Sequence, residues 1–229
     1  FALEDYEAID DDMIVEPGKA FRQALAGING ARIYVAAMAC SAVRAALGQA
    51  VDRGSARQTF GQPILDHQGL AWQLASVANR LEAAEALTAR AVDLYDASST
   101  ITDDGGADAK EGMRHVALLA AHAKKFATEM VEPALESCVQ AMGAEGLRPG
   151  YVGGRLLSEC RILSFVDGTT EMQTERIGRS LSVFYGSDSP GMVSVAAPAP
   201  ERKSPAQEAV IDLSESDDDR DEPINHDYD

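Results

Sequence analysis

The residues best suited to chemistry lie in the stretch 165–173, Phe-Val-Asp-Gly-Thr-Thr-Glu-Met-Gln, which combines a carboxylate, a glycine and a helix start. Gly168 lets the backbone approach a ligand closely, and the residues that follow begin a helix whose free N–H groups favour anions. Asp167 is therefore a candidate general base. The alternative interpretation is an ordinary helix start with an acidic residue near its cap.

The elements that must position this stretch are long amphipathic helices. Apolar residues recur at spacings of three and four, the period of one buried helical face. The pattern predicts long helices around residues 36–51, 70–84 and 109–142, and shorter ones at about 154–163 and 169–184. Pro133 predicts a kink or a boundary in the third helix. Long helices with short loops and no strand alternation predict an all-α, antiparallel up-and-down helical bundle.

Composition divides the chain into three parts. Residues 1–16 are acidic around a short apolar run, which predicts the end of an extended segment. Residues 17–186 carry the helical patterns. Residues 187–229 are rich in Ser, Pro, Ala and acids, so we expect a disordered acidic tail. Between residues 201 and 229 there are eleven acids and three bases, so this segment carries −8 of the net charge of −17.

Several classes of function are disfavoured. A net charge of −17 argues against a nucleic-acid partner, which would need clustered Lys and Arg. No uninterrupted apolar run approaches the roughly 20 residues of a membrane span. Two histidines seven residues apart on a helix are about 10.5 Å apart, too far to share a metal, so no metal site is predicted. The cysteines lack a Cys-x-x-Cys spacing, which indicates reduced core residues in an intracellular, cytoplasmic protein, or an organelle matrix if the source is eukaryotic.

Three motifs, in order and at long separation, resemble the C-terminal helical domain of flavin-dependent acyl-CoA dehydrogenases. The resemblance covers about residues 20–186, and it implies that residues 1–16 are a remnant of a preceding β-domain. Complete members also have an N-terminal helical domain. The motifs are Arg57-x-x-Phe60-Gly61-x-Pro63-Ile64 with His67-Gln68, Gln140-x-x-Gly143-x-x-Gly146, and Asp167-Gly168-Thr169-x-Glu171-x-Gln173.

The resemblance implies FAD as the cofactor. In the family, the first motif contacts FAD that usually belongs to a neighbouring subunit. A guanidinium suits phosphate oxygens, although Arg57 is also compatible with a plain loop cation near a helix end. Ala144 stands where a second glycine is usual. The implied cofactor contacts are Arg57, Thr59, Phe60, Gln68, Gln140, Gly143, Thr169 and Glu171.

The third motif resembles the loop whose carboxylate removes the α-proton of an acyl-CoA thioester while the β-hydrogen leaves as hydride to the flavin. Most members have glutamate where this chain has Asp167. The shorter side chain shifts the carboxylate by roughly an ångström, which matters for attack geometry. A repositioned substrate, different acyl groups and a weakened enzyme all stay open. Some members place the base on the first helix, where this chain has Ala31.

The resemblance also implies contacts with the substrate. Gly168 would lie against the thioester, and Asn29 and Arg32 on the first helix would meet the CoA portion. The alternative for that pair is a solvated helix face.

The function hypothesis that results is FAD-dependent α,β-dehydrogenation of an acyl-CoA thioester, with Asp167 as the base. The active form would be a homo-oligomer, or a hetero-oligomer with a chain that supplies the missing domains, and electron-transfer flavoprotein would accept the electrons. The rival hypothesis is a non-catalytic helical module that completes a partner's FAD site or serves as an oligomer interface.

Overall fold

The computed structural model describes residues 4–5, 7, 9–99, 107–187 and 189. Within these ranges the chain is dominated by α-helices, and a two-stranded antiparallel hairpin follows the first of them. Short 3-10 segments precede α1 and α2, follow α3 and follow α4. The elements are α1 (Ala20–Ala56), β1 (Gln58–Thr59), β2 (Gln62–Pro63), α2 (Gln68–Ser99), α3 (Ala107–Met142), α4 (Val152–Glu159) and α5 (Thr170–Phe184).

Helices α1 and α2 are antiparallel. Gly30 near the start of α1 packs against Tyr95 near the end of α2. Further along α1, Arg44 forms ion pairs with Glu82 and Glu85 in the middle of α2. Residue numbers therefore rise along one helix as they fall along the other.

Contacts of the same kind give the directions of α2 and α5 relative to α3. The Gln73 side chain near the start of α2 donates to the Ser137 carbonyl near the end of α3 at 3.3 Å. Between α3 and α5, the Thr128 and Thr170 hydroxyls are 3.5 Å apart, and the His122 ring lies 3.1 Å from the Tyr185 hydroxyl. Helices α1, α2, α3 and α5 thus run up, down, up and down, and the predicted all-α antiparallel bundle is confirmed.

The core lies between α1, α2 and α3 and is rich in small side chains, which let the helices approach closely. Most positions of the predicted stripes are buried, including Ala36, Val43 and Leu81. Four are not: Leu47 and Leu70 are partly buried, whereas Val51 is 36% exposed and Phe126 is 39% exposed. The stripes therefore identify the inward faces but misplace single residues at their edges.

Three local features differ from the sequence interpretation. The loop after α1 contains the hairpin β1–β2, whose two-residue strands are too short to show alternation. Helix α3 continues through Pro133, so the proline is not a boundary. Asp10–Asp12 forms a 3-10 turn in the segment expected to be extended. The domain boundaries at 17 and 187 stay predictions, and the predicted tail, apart from residues 187 and 189, lies outside the described residues.

One helical stretch within the described ranges, Gly27–Ala56, is long and apolar enough to cross a membrane, with a mean hydropathy of 1.3. Half of it is buried against the rest of the bundle, as is common for the core helix of a soluble protein. Length and composition alone are therefore weak evidence for a membrane span.

Candidate active site

The predicted base lies in a strained turn between the last 3-10 segment and α5. Asp167 has φ +51° and Gly168 has φ +91°, both in the left-handed region. Thr169 is the N-cap of α5, and its hydroxyl accepts a hydrogen bond from the Met172 backbone N–H at 3.4 Å. The cap is therefore Thr169, and Asp167 lies two positions before it, which agrees with the alternative interpretation of an acidic residue near a helix cap.

Three side chains hold the two backbone carbonyls of this turn. Arg32 Nε donates to the Asp167 carbonyl at 3.1 Å. Lys124 Nζ donates to the Gly168 carbonyl at 2.7 Å, and Gln173 Nε2 donates to the same oxygen at 3.0 Å. Strained φ values persist where the surroundings over-determine them, and these hydrogen bonds supply that constraint.

The donor Arg32 is buried together with its hydrogen-bond acceptor Asn29. Asn29 and Arg32 are each 4% exposed, and Asn29 Oδ1 accepts from an Arg32 guanidinium nitrogen at 2.9 Å. The pair is thus not a solvated helix face, and the contact that the structure shows is with the Asp167 turn. Its predicted role as a CoA contact stays a prediction.

The turn is an electrostatically crowded place. Burial lowers the pKa of Arg32, nearby Arg176 lowers it further, and Asp167 opposes both effects. Burial also lowers the pKa of Lys124, against the attraction of Asp167. Two desolvated cations therefore lie within electrostatic reach of the candidate base.

The conformation at residue 168 favours glycine, and a side chain there would press on Gln173. A methyl group there would lie 2.9 Å from Gln173 Nε2, closer than such contacts normally come. Gln173 is fully buried, and its Oε1 has no hydrogen-bond partner among the described residues. Only the nitrogen of the Gln173 amide is therefore hydrogen-bonded, and its acceptor is the Gly168 carbonyl.

The two predicted cofactor contacts after the turn bond to each other. The Glu171 carboxylate accepts from its own backbone N–H and from the Thr169 hydroxyl, and these bonds lower the pKa of Glu171. Glu171 is exposed. Its side chain and the first turn of α5 therefore present a polar, anionic surface beside the base.

A cleft of about 250 Å³ opens next to this helix start. Its lining includes the acids Glu129, Glu132 and Glu171, and its arginine, Arg161, is paired with Glu132 at 2.9 Å. Acidic walls disfavour phosphate, so we expect the phosphate groups of a cofactor elsewhere.

The first predicted cofactor motif forms the hairpin. Phe60 and Gly61 occupy its two central positions with φ +53° and +83°, the backbone signs of a type I′ turn. Arg57 and Gln68 are exposed, and the Phe60 ring is 99% exposed. Thr59 is partly buried, with its hydroxyl 3.0 Å from His67 Nε2. The motif thus presents a cation and an aromatic ring to the outside.

The second motif lies at the same end of the bundle. Gln140 is exposed in the last turn of α3, and Gly143, with φ +63°, follows it. This end is remote from the base turn: Arg32 and Arg57 are 25 positions apart along α1, or roughly 37 Å at 1.5 Å per residue. The structure therefore groups the predicted site residues into two clusters, one around Asp167 and one around Arg57.

Sequence reasoning missed the part that Lys124 and Gln173 play. Gln173 belongs to the third motif but was not assigned to the site. A capping-box pattern places its side chain on the helix N-cap, whereas the structure places it on the Gly168 carbonyl. The signal for Lys124 is a lysine within the apolar face of α3, four residues after the fully buried Ala120.

The antiparallel bundle holds the Asp167 turn through two buried cations, Arg32 and Lys124. The described residues thus form a helical domain with a candidate catalytic loop. The family model described as "Acyl-CoA dehydrogenase, C-terminal domain" matches residues 18–182. The chain therefore belongs to the acyl-CoA dehydrogenase family, and the resemblance in its motifs is confirmed.

Individual relatives agree with this assignment. A probable acyl-CoA dehydrogenase of Bacillus subtilis, YngJ, is 30% identical over 78% of this chain and 43% of its own length. The caffeyl-CoA reductase-Etf complex subunit CarC of Acetobacterium woodii is 27% identical over 75% of this chain and 41% of its own. The structure of butyryl-CoA dehydrogenase from Megasphaera elsdenii matches with a TM-score of 0.62, 28% identity and coverage of 75% and 41%. The chain thus spans about two fifths of the length of these relatives.

Proposed function

We propose that this chain acts in the FAD-dependent α,β-dehydrogenation of an acyl-CoA thioester, as the C-terminal domain or a subunit of the complete enzyme. The observation that carries the proposal is the clamped turn at Asp167, in a chain of the acyl-CoA dehydrogenase family. A turn held this firmly suits a base that must lie close to one substrate atom.

The residues at the hairpin end fit FAD. An exposed guanidinium forks onto phosphate oxygens, and an exposed aromatic ring on a rigid turn offers a stacking face. Arg57, Phe60, Gln68 and Gln140 would hold the cofactor there. FAD, when bound, supplies the acceptor for the hydride that leaves the β-carbon.

The chemistry of the chain itself is a proton transfer. The Asp167 carboxylate takes the α-proton of the thioester, and the electron pair of that C–H bond forms the new double bond as the β-hydrogen leaves with its own pair. Gly168 would contact the thioester, and its lack of a side chain keeps that approach open. Lys124 and Arg32 hold the turn while the proton moves.

Partners and location belong to the same proposal. We expect a homo-oligomer, or a hetero-oligomer with a chain that supplies the remaining domains, because Arg57 and Phe60 are exposed at an end of the bundle remote from Asp167. Electron-transfer flavoprotein is the proposed acceptor, supported by a relative whose name places it in an Etf complex. Three free and buried cysteines support an intracellular, cytoplasmic location.

The second candidate function is a non-catalytic helical module that completes a partner's FAD site or forms an oligomer interface. The exposed Arg57 and Phe60 favour it, because a hairpin presented outward at the end remote from Asp167 can serve a partner. The visible spectrum of the native protein distinguishes the two. Bound flavin that is bleached by an acyl-CoA supports the enzyme, and the absence of flavin supports the module.

The direct test of the proposal is Asp167→Asn in the assembled enzyme. Asparagine keeps the size of the side chain but cannot accept the proton, and loss of a general base typically costs on the order of 10²–10⁴ in rate. We expect flavin binding to be nearly unchanged and flavin reduction by acyl-CoA, measured by stopped flow, to slow by that factor. An unchanged rate would remove Asp167 from the mechanism. Asp167→Glu then separates two cases. Faster turnover in this variant would mean that the aspartate is a defect, and slower turnover would mean that the pocket is built around aspartate.

A further inference from the structure

Lys124 is an unusual residue for the interior of a helical bundle. It is fully buried on α3, whereas its neighbour Lys125 is partly exposed and pairs with Glu129. A buried ammonium group loses its hydration, and few lysines are fully buried unless they are paired. Burying the Lys124 amine is therefore unfavourable by itself, and we expect it to serve a role that an apolar side chain could not.

The contacts of Lys124 indicate that role. Its Nζ lies 2.7 Å from the Gly168 carbonyl, 44 positions along the chain. It also lies within electrostatic reach of Asp167 and of Arg32, which holds the preceding carbonyl at 3.1 Å. Each of the two successive carbonyls is thus bonded by a different buried cation, Asp167 by Arg32 and Gly168 by Lys124.

The turn needs such support. A left-handed conformation is unfavourable for residues with a side chain, although less so for aspartate than for most, and Asp167 adopts one at φ +51°. The local sequence supplies Gln173, which bonds the second carbonyl from within α5. The bonds that tie the turn to the body of the bundle come from α1 and α3.

We propose that Lys124 is a positioning residue for the Asp167 turn: its ammonium group binds the Gly168 carbonyl and thereby fixes the backbone that carries the base. A charge–dipole bond of this kind is stronger than a neutral hydrogen bond, which explains a lysine in an apolar setting. The catalytic consequence rests on the proposed function, while the clamp itself concerns the chain alone.

The test is Lys124→Met in the 229-residue chain, with Lys125→Met as the matched control one position away. Methionine fills much of the same space but removes the donor and the charge. A hydrogen bond to a charged group contributes about 1.5–3 kcal/mol, equivalent to a roughly 10- to 100-fold faster amide exchange at Val166 and Gln173, whose N–H groups donate to the Ile162 and Thr169 carbonyls on either side of the turn. We expect that increase in Lys124→Met only, with the exchange of the α1–α2 core unchanged. Equal exchange in both variants would overturn the proposal.

A second measurement covers the case in which Lys124→Met does not fold. The Lys124 Nζ signal is titrated by nitrogen NMR in the wild-type chain and in Asp167→Asn, where the altered side chain is only partly buried. Because Asp167 opposes the lowering of the Lys124 pKa, we expect the midpoint to fall further in the asparagine variant. An unchanged midpoint would mean that the lysine does not sense the base, and it would contradict the proposal.

Failure of the proposed function has a separate signature. If the wild-type assembly shows no flavin reduction by acyl-CoA, the dehydrogenation proposal fails, and the exchange measurement still decides whether Lys124 holds the turn. If the wild type is active, Lys124→Met should slow flavin reduction at saturating acyl-CoA. Lys125→Met should leave it within twofold. Normal reduction in Lys124→Met despite faster exchange would overturn the catalytic part.

Discussion

Gly168→Ala is the sharpest test of the turn, because the chain contains a matched control. Gly61 in the hairpin has φ +83°, close to the +91° of Gly168. A methyl group on Gly61 meets no described atom within 4 Å, whereas on Gly168 it lies 2.9 Å from Gln173 Nε2. The two substitutions thus share the conformational cost and differ in the contact.

The magnitudes follow from these contacts. The left-handed conformation costs a non-glycine residue roughly 1–2 kcal/mol, partly offset by the lower entropy of the unfolded chain. At Gly168 the displaced, buried Gln173 amide adds roughly 1–3 kcal/mol for its lost hydrogen bond. We expect Gly168→Ala to lower the free energy of unfolding by about 3 kcal/mol and Gly61→Ala by about 1 kcal/mol.

Thermal unfolding followed by circular dichroism measures the difference. For a domain of this size, each kcal/mol shifts Tm by about 2–4 °C, so the expected losses are about 6–12 °C for Gly168→Ala and about 2–4 °C for Gly61→Ala. Equal losses would mean that the Gln173 side chain moves aside at no cost. That result would refute the view that the amide is held by the turn.

Two further predictions concern pH and assembly. Burial and Arg90 lower the pKa of His122 below 6.5, so the unfolded chain takes up the proton first and stability falls as the pH drops from 6.5 toward the folded value. We expect His122→Gln to lose less stability than the wild type over that range in urea titrations, and parallel losses would contradict this. Sedimentation with FAD should show an oligomer that Arg57→Ala weakens, and a strict wild-type monomer at micromolar concentration would count against it.

The sequence predicted the bundle because long helices with one buried face leave a periodic signal. The same signal fails where a residue lies at the edge of the face, as Phe126 does, and where strands are two residues long. Proline is expected to break or kink a helix interior, but α3 continues through Pro133, and the nearby Val131 and Leu135 are fully buried. Local preference was overridden by tertiary contacts.

The base turn was predicted from its motif, but its support was not. The contact between Arg32 and Asp167 joins residues 135 positions apart, and Lys124 reaches the turn from another helix. No local spacing encodes such contacts. Burial of Asn29 and Arg32 also excludes the alternative of a solvated helix face, because Arg32 bonds both Asn29 and the Asp167 turn, which the helix pattern does not show.

The separation of the two clusters bears on how a complete site could form. Helix α1 carries Arg32 beside the base turn and ends at the Arg57 hairpin, roughly 37 Å away along its axis. The hairpin packs on the end of that helix and cannot fold back to the turn without breaking it. If both clusters serve FAD, Arg57 and Phe60 must therefore act on a cofactor other than the one at their own Asp167. A two-fold assembly meets this requirement, since each chain would lend its hairpin end to the other and both sites would be completed at once.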